Sequence, residues 1–255
     1  MREKTSKNGS VEKALQVIEC FDLRSPSLSL DELSKKTGFS KPTVFRMISS
    51  LEKFGYLKRI NEDGLMKYRL GMAFLEKSHI VNSHFDIREL AKQEMLALRN
   101  ETGLSVQLAI RDGNEAIYIE HFEALSAFRV FPQVGRRVPL YAAACPRVLL
   151  AFVQSEEQKS ILDSYTYTMF TPHTKIDHEL IFSELKDIKE KGYAVSRGEL
   201  HEGTAAIAVP IFDINHNVIA ALSVIGLDHE FDEQLSSYVA RLKVSAEIIH
   251  EKLRY

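Results

Sequence analysis

The residues with the clearest chemistry lie in one run, Ser40-Lys41-Pro42-Thr43-Val44-Phe45-Arg46-Met47-Ile48-Ser49-Ser50-Leu51-Glu52-Lys53-Phe54-Gly55. On a helix, Val44, Ile48 and Leu51 share one face at 3.6-residue spacing, and Met47 and Phe54 widen it. The opposite face then carries Lys41, Thr43, Arg46, Ser49, Ser50 and Lys53, hydroxyls and cations without a carboxylate. Glu52, the one acid of the run, falls near its end. Such a face suits duplex DNA, because guanidinium and hydroxyl groups reach base edges and phosphate oxygens in the major groove. An ordinary amphipathic surface helix has the same periodicity, so the neighbouring elements decide between the two.

A second set of cations follows at once. Tyr56 to Ile60 reads as a strand, Asn61-Glu62-Asp63-Gly64 has hairpin-turn chemistry, and Met66 to Leu70 returns. Lys58, Arg59, Lys67 and Arg69 on this hairpin are placed to meet phosphate or the minor groove. The charge distribution agrees: residues 1–72 hold 14 Lys and Arg against 9 Asp and Glu, and the remainder holds 19 against 26. A basic head on an acidic body is the footprint of a DNA-binding module joined to a domain with other work.

No comparable set for catalysis assembles. G-x-S-x-G, GxGxxG, P-loop and H-E-x-x-H patterns are all missing. His79 with His84, and His173 with His178, are spaced by five, which does not stack them on a helix face as i,i+4 does. His216 and His229 fall in or beside turns. Glu199 and Glu202 near Ser196 offer a polar rim without a nucleophile. The expectation is a protein that is not an enzyme and holds neither metal nor cofactor.

The elements that must position the basic face are short. Ser10 opens a helix through Phe21, Asp31 to Thr37 makes two turns, and Gly38-Phe39-Ser40 is a tight turn into the run above, with Ser40 as its cap and Pro42 in its first turn. Two short helices around a glycine turn match the helix-turn-helix pattern, and the basic hairpin makes it winged. Met72 to Ser83 reads as a connecting helix. This divides the chain into a DNA-binding head over residues 10–72, a linker helix over 73–84, and a second domain over 85–255.

In that second domain a helix from Asp86 through Asn100 carries Ile87, Leu90, Ala91, Glu94 and Leu98 on one side. The hydrophobic period then shifts from 3.6 to 2. Strands are expected over Leu104–Ile110, Glu115–His121 and Ser126–Phe131, followed by a buried helix over Ala142–Phe152 and a short one over Gln154–Leu162. Asp177 caps a helix that ends at Gly192, Tyr193–Ser196 is a strand, and Thr204–Ile211 with Val218–Ile225 is an apolar hairpin. A long helix, Phe231–Leu253, closes the chain. Hairpins mixed with helices make this an α+β domain on an antiparallel sheet. With 45% hydrophobic and 27% charged residues, no apolar run of membrane length, no signal-peptide pattern after Met1, and Cys20 and Cys145 outside any CxxC spacing, the expected setting is the reducing cytoplasm.

Taken together, the motifs resemble the IclR-type transcriptional regulators over nearly the whole length. In the head the resemblance is carried by Leu33, Ser40 to Arg46, Leu51 to Leu57 and Tyr68 to Gly71. In the body it is carried by Gly135 to Ala144, Leu149 to Phe152, Glu202-Gly203, Ile207 to Ile211 and Ala221 to Val224. It implies a two-domain α+β protein with a GAF-like effector-binding domain. Homodimers or tetramers would act on palindromic double-stranded operators, most often as repressors. Thr43, Phe45 and Arg46 fall on positions the family presents to DNA. Phe45 would either meet a thymine methyl or cover the head's own core.

The same resemblance locates a cavity for a small organic effector between the segment Ala142–Ala144, the loop Ser196–Gly203 and the sheet face carrying Ala206, Ser223 and Ile225. Its candidate lining is Tyr141, Ala143, Ala144, Cys145, Ser196, Ala206, Ser223 and Ile225. Members that bind small oxo-acids carry an acidic side chain at Ser196, a cysteine at Ala206 and a second serine at Ile225, so of that polar set only Ser223 is kept. Pro146-Arg147 replaces a Gly-Lys pair and Tyr141 a histidine. Glyoxylate or pyruvate should therefore bind poorly, for want of donors. An effector with an apolar ring or chain and a polar end near Ser223 or Tyr141 should bind better. Two alternatives stay open: a filled cavity, and a second domain that only dimerises the head.

Overall fold

The computed structural model describes residues 9–62, 64–82, 86–125 and 134–253. The chain divides into two compact units, residues 1–84 and 85–255.

The first unit holds α1 (Ser10–Ile18), β1 (Ser27–Leu28), α2 (Leu30–Thr37), α3 (Lys41–Lys53), β2 (Leu57–Glu62), β3 (Leu65–Leu70) and α4 (Ala73–Asn82). Capping chemistry sets the helix ends. Ser29 Oγ accepts from the Glu32 amide at 3.3 Å, and the Glu32 carboxylate accepts the Ser29 amide in return at 2.7 Å. Gly38, at φ 71°, ends α2 in the left-handed conformation and allows α3 to follow after two residues. Val17, Leu33, Val44 and Ile48 are fully buried where α1, α2 and α3 meet, with Leu57 and Tyr68 closing the core from the hairpin. Pairing within the three-stranded sheet runs β1-β3-β2, so β1 adds an edge that the sequence pattern did not suggest. Gly71 crosses Gly55 so closely that a Cβ there would lie 2.0 Å from the Gly55 carbonyl oxygen.

The second unit holds α5 (Asp86–Thr102), β4 (Ser105–Asp112), β5 (Glu115–Phe122), β6 (Arg137–Pro139), α6 (Ala144–Ala151), α7 (Ser155–Asp163), α8 (His178–Lys191), β7 (Ala194–Arg197), β8 (Thr204–Phe212), β9 (Val218–Leu227), a 3-10 turn (Asp228–Phe231) and α9 (Leu235–Lys252). The strands form one antiparallel sheet in the order β6-β5-β4-β9-β8-β7. Period-two alternation sorts β8 and β9 between two cores. Ile207, Val209, Ile211, Leu222 and Val224 pack with α5 and α9. Ala206, Ala208 and Ala221 turn to the other face, with α6 and α8. One face of the sheet is thus filled by large side chains. The other is lined by small ones and keeps space beneath α6.

The strand expected at Ser126–Phe131 lies outside the described residues; the described strand paired with β5 on that side is β6. Three expectations need correction. The helix expected from Ala142 starts at Ala144, because Ala143 takes φ 72°. The closing helix is broken: Glu230 Oε2 accepts the Leu227 amide at 2.6 Å and winds a 3-10 turn before α9 begins. Phe54 does not extend the apolar face of α3, since it lies beyond the last regular turn with 69% of its surface exposed.

Candidate nucleic-acid interface and ligand cavity

On α3, Val44, Ile48 and Leu51 point into the head's core, and the outward stripe is Pro42, Phe45, Arg46, Ser49, Ser50 and Lys53. Phe45 is 46% exposed, so it is a surface side chain and not a core one. Among the described residues Arg46 has no carboxylate partner, which leaves its whole donor fork available. Ser49 and Ser50 donate their hydroxyl protons to the carbonyls of Phe45 (2.9 Å) and Arg46 (3.1 Å) and present only acceptor lone pairs outward. The Ser40 and Thr43 hydroxyls bond each other at 3.0 Å across the first turn. Lys41 pairs with Asp31 at 2.7 Å, although both groups stay more than half exposed.

The hairpin divides its cations differently. Lys67 Nζ pairs with Glu62 at 2.7 Å, and Arg59 pairs with Glu52 at 3.0 Å while its guanidinium lies over the Tyr68 ring. Lys58 and Arg69 sit opposite each other in the ladder, both exposed, with no carboxylate beside either among the described residues. Glu62, Leu65 and Met66 surround the tip, the last two 62% and 51% exposed.

In the second unit a cavity opens beneath the start of α6. Its volume is about 30 Å³. Ala143 lines it from just before α6, Ala144 and Cys145 from α6, Ser196 from β7, Ala206 from β8, and Ser223 and Ile225 from β9. The strand register explains the grouping: Ala206 stands opposite Ile225 and Ser196, and Ser223 stands opposite Ala208 and Gln107. Tyr141 does not line it. Its hydroxyl donates to the Thr168 carbonyl (3.0 Å) and accepts the Thr168 amide (2.8 Å), so Tyr141 anchors the loop over residues 164–177 from within the core.

Further residues line the cavity, of which His201 lies in the loop Ser196–Gly203 already expected to bound it and the others were not expected. Gln107, Tyr118, Arg136, His201 and Thr204 complete the wall. Arg136 Nη1 meets His201 Nε2 at 3.0 Å, a geometry that requires the unprotonated ring nitrogen as acceptor. Burial, and then the Arg136 charge, holds the His201 ring below the usual histidine range. Burial pushes the Cys145 thiol up to about 12, against a smaller pull from the Ser223 hydroxyl, which makes it an unreactive neutral lining group.

A buried ion pair holds this wall. Arg147 and Glu199, with side chains 1% and 2% exposed, meet through Nη1–Oε2 and Nη2–Oε1 at 2.5 and 2.6 Å. Arg147 Nη2 also donates to the Val195 carbonyl at 3.1 Å. Glu199 Oε2 accepts the Ala143 amide at 3.2 Å, fastening the loop before β8 to the first residue before α6. Ala143 is held at φ 72°, ψ 175°, a conformation costing a non-glycine residue about 1–3 kcal/mol. The hydroxyls of Thr171 and Thr174 donate to the Gly198 and Glu199 carbonyls, both at 2.6 Å, and fix the loop from its other side. A second, more open hollow of about 300 Å³ lies between Phe152, Phe212 and α9. Its polar groups serve the fold: Lys243 donates to the Lys191 carbonyl, and His250 Nδ1 bonds the Phe212 carbonyl. Among the described residues no group of three or more His, Cys, Asp or Glu could hold a metal ion, and no helix is long and apolar enough to cross a membrane.

Comparison with known proteins meets this geometry from both ends. Residues 10–60 match the IclR helix-turn-helix domain, and residues 79–251 match the C-terminal domain of the bacterial transcriptional regulator IclR. The chain is similar to the HTH-type transcriptional regulator KipR of Bacillus subtilis, with 39% identity over 98% of this chain and 99% of the relative. It is also similar to the HTH-type transcriptional regulator XynR of Escherichia coli, with 36% identity over 96% and 97%. Among solved structures, an IclR homolog from Microbacterium hydrocarbonoxydans complexed with 4-hydroxybenzoate superposes with a TM-score of 0.84 at 25% identity, over 96% of this chain and 99% of that one.

Proposed function

This chain belongs to the IclR family of transcriptional regulators, DNA-binding proteins with an effector-binding C-terminal domain and no catalytic role, and from that premise we propose that it is an effector-released repressor. Residues 10–72 bind the operator, 73–84 link, and 85–255 bind the effector and assemble the oligomer. Arg46, Thr43 and Phe45 read base edges, with Ser49, Ser50 and Lys53 along the same groove. Arg69 and Lys58 meet phosphate, with a smaller share for Lys67 and Lys41, whose charges are already partnered. One recognition helix covers only a few base pairs, so a homodimer or tetramer on a palindromic site supplies the specificity.

The observation that carries this reading is the outward stripe of α3, where Arg46 stands exposed with no carboxylate partner among the described residues. A regulator also needs a second site whose occupancy changes the protein. The cavity is small, so an effector with a ring or chain enters only by moving α6 from the loop over residues 198–203, the two segments that Glu199 fastens together. The 4-hydroxybenzoate bound by the Microbacterium homolog supports a ligand of that general size here.

The test is a titration of the full chain against duplexes it selects from a random library, with and without small organic metabolites. The expected result is a selected palindrome bound at least about a thousandfold tighter than random DNA, by a dimer or tetramer, and weakened by one class of metabolite. Uniform affinity for all duplexes, or a monomer in sedimentation with and without operator, would defeat the proposal.

A further inference from the structure

A hydroxyl facing a DNA groove can give or take a hydrogen bond, and on α3 the helix itself has made the choice. Ser49 Oγ donates to the Phe45 carbonyl at 2.9 Å, and Ser50 Oγ donates to the Arg46 carbonyl at 3.1 Å. Each hydroxyl has one proton, so what it turns outward is acceptor lone pairs alone. Phosphate oxygens, purine N7 and the keto oxygens of guanine and thymine are acceptors as well and cannot bond such a group. The base donors in the major groove are the exocyclic amino groups, N6 of adenine and N4 of cytosine.

The two serines also stand where base edges would be met. At 3.6 residues per turn they lie about 60° and 40° to either side of Arg46, and about 4.5 and 6 Å farther along the axis. Both are exposed, and the acid of the same helix, Glu52, is drawn off to Arg59 at 3.0 Å. With Arg46 on a guanine, the two hydroxyls fall within about two base steps of it, at about 3.4 Å per step. We propose that Ser49 and Ser50 read the amino group, each admitting adenine or cytosine on the strand it faces and rejecting guanine and thymine there. This rests on the reading of α3 as the helix that enters the groove. The stripe then divides into one donor fork for base acceptors and two acceptors for base amino groups.

The test is selection from a random duplex library by the full chain, by Ser49→Ala and by Ser50→Ala, with Arg46→Ala beside them. Alanine is a better helix former than serine, so both serine variants should unfold no earlier than the parent. The expected parent site has positions that take adenine, cytosine or both on one strand and discriminate against guanine and thymine about three- to tenfold, the worth of one hydrogen bond. Each serine variant should lose that discrimination at its own position and bind random duplex as the parent does. The parent should also lose affinity when the selected adenine or cytosine is replaced by its analogue lacking the amino group, and the matching alanine variant should not respond. Serine variants that select the parent's sequence unchanged overturn the proposal, as do variants that weaken operator and random duplex alike, the mark of lost phosphate contacts. A serine-dependent preference for guanine or thymine also overturns it. If Arg46→Ala alone loses its sequence preference, α3 still reads the groove and the serines are not its base contacts. A parent that selects no sequence defeats both readings.

Discussion

Arg46 and Arg147 are the same side chain in opposite surroundings. Arg46 stands on the outward stripe of α3 with no carboxylate partner among the described residues, while Arg147 is fully buried, its two Nη groups bonded to Glu199 and to the Val195 and Tyr141 carbonyls and its Nε 3.7 Å from Glu184. The difference separates recognition from architecture. A cation that the fold has already neutralised and bonded holds two segments together, and one that the fold leaves open is available to a partner. The same division runs through the rest of the molecule. Lys67, Lys41 and Arg59 have carboxylates beside them, whereas among the described residues Arg69, Lys58 and Arg136 do not.

The largest effect expected from breaking this division is at the buried pair. Arg147→Ala or Glu199→Ala leaves a lone buried charge and should cost the second unit about 3–5 kcal/mol in denaturant unfolding. The double replacement Arg147→Met with Glu199→Leu should cost much less, because no charge is stranded. Equal losses in the single and double variants would show that the pair does not act as one.

How much of this was legible in the sequence follows from the period of each element. The faces of α3 came from a 3.6-residue repeat, and the grouping of Ala206, Ser223 and Ile225 from strand alternation and a hairpin, both of which local pattern encodes. Phe54 was misplaced because periodicity cannot say where a helix stops. Arg136 and His201 reach the cavity from a strand edge and a loop, 65 residues apart, where no repeat points. Tyr141 stays out of the cavity because its hydroxyl is bonded to both the carbonyl and the amide of Thr168, a contact 27 residues away that local pattern does not encode.

Smaller effects sharpen the comparison. Ala143→Gly removes the strain of φ 72° and should stabilise the second unit by up to about 1 kcal/mol, with the Glu199 contact kept. A loss of stability would mean that the strain is absent. His121 and His201 are both held below the ordinary histidine range, chiefly by burial. The unfolded chain then binds more protons than the folded one as pH falls through about 6.5. Stability should be fully present above that pH and decline below it, and His201→Gln should flatten the decline. A flat pH profile from 7 to 5 in the parent would contradict the burial account. On DNA, Arg69→Ala should reduce the salt slope of binding by about 1, and Lys67→Ala by less, since Glu62 already accompanies it. The reverse order would mean that ion pairing in the free protein does not predict contact with phosphate.

The most direct test of the division between open and neutralised cations is operator affinity of the parent and Arg46→Ala at matched salt, with a random duplex beside each. The expected loss on operator is about 1–3 kcal/mol, with a much smaller change on random DNA, because a base contact is removed and the fold is untouched. Operator binding by Arg46→Ala as tight as the parent's would contradict the account, and the outward stripe of α3 would not be the surface that reads DNA.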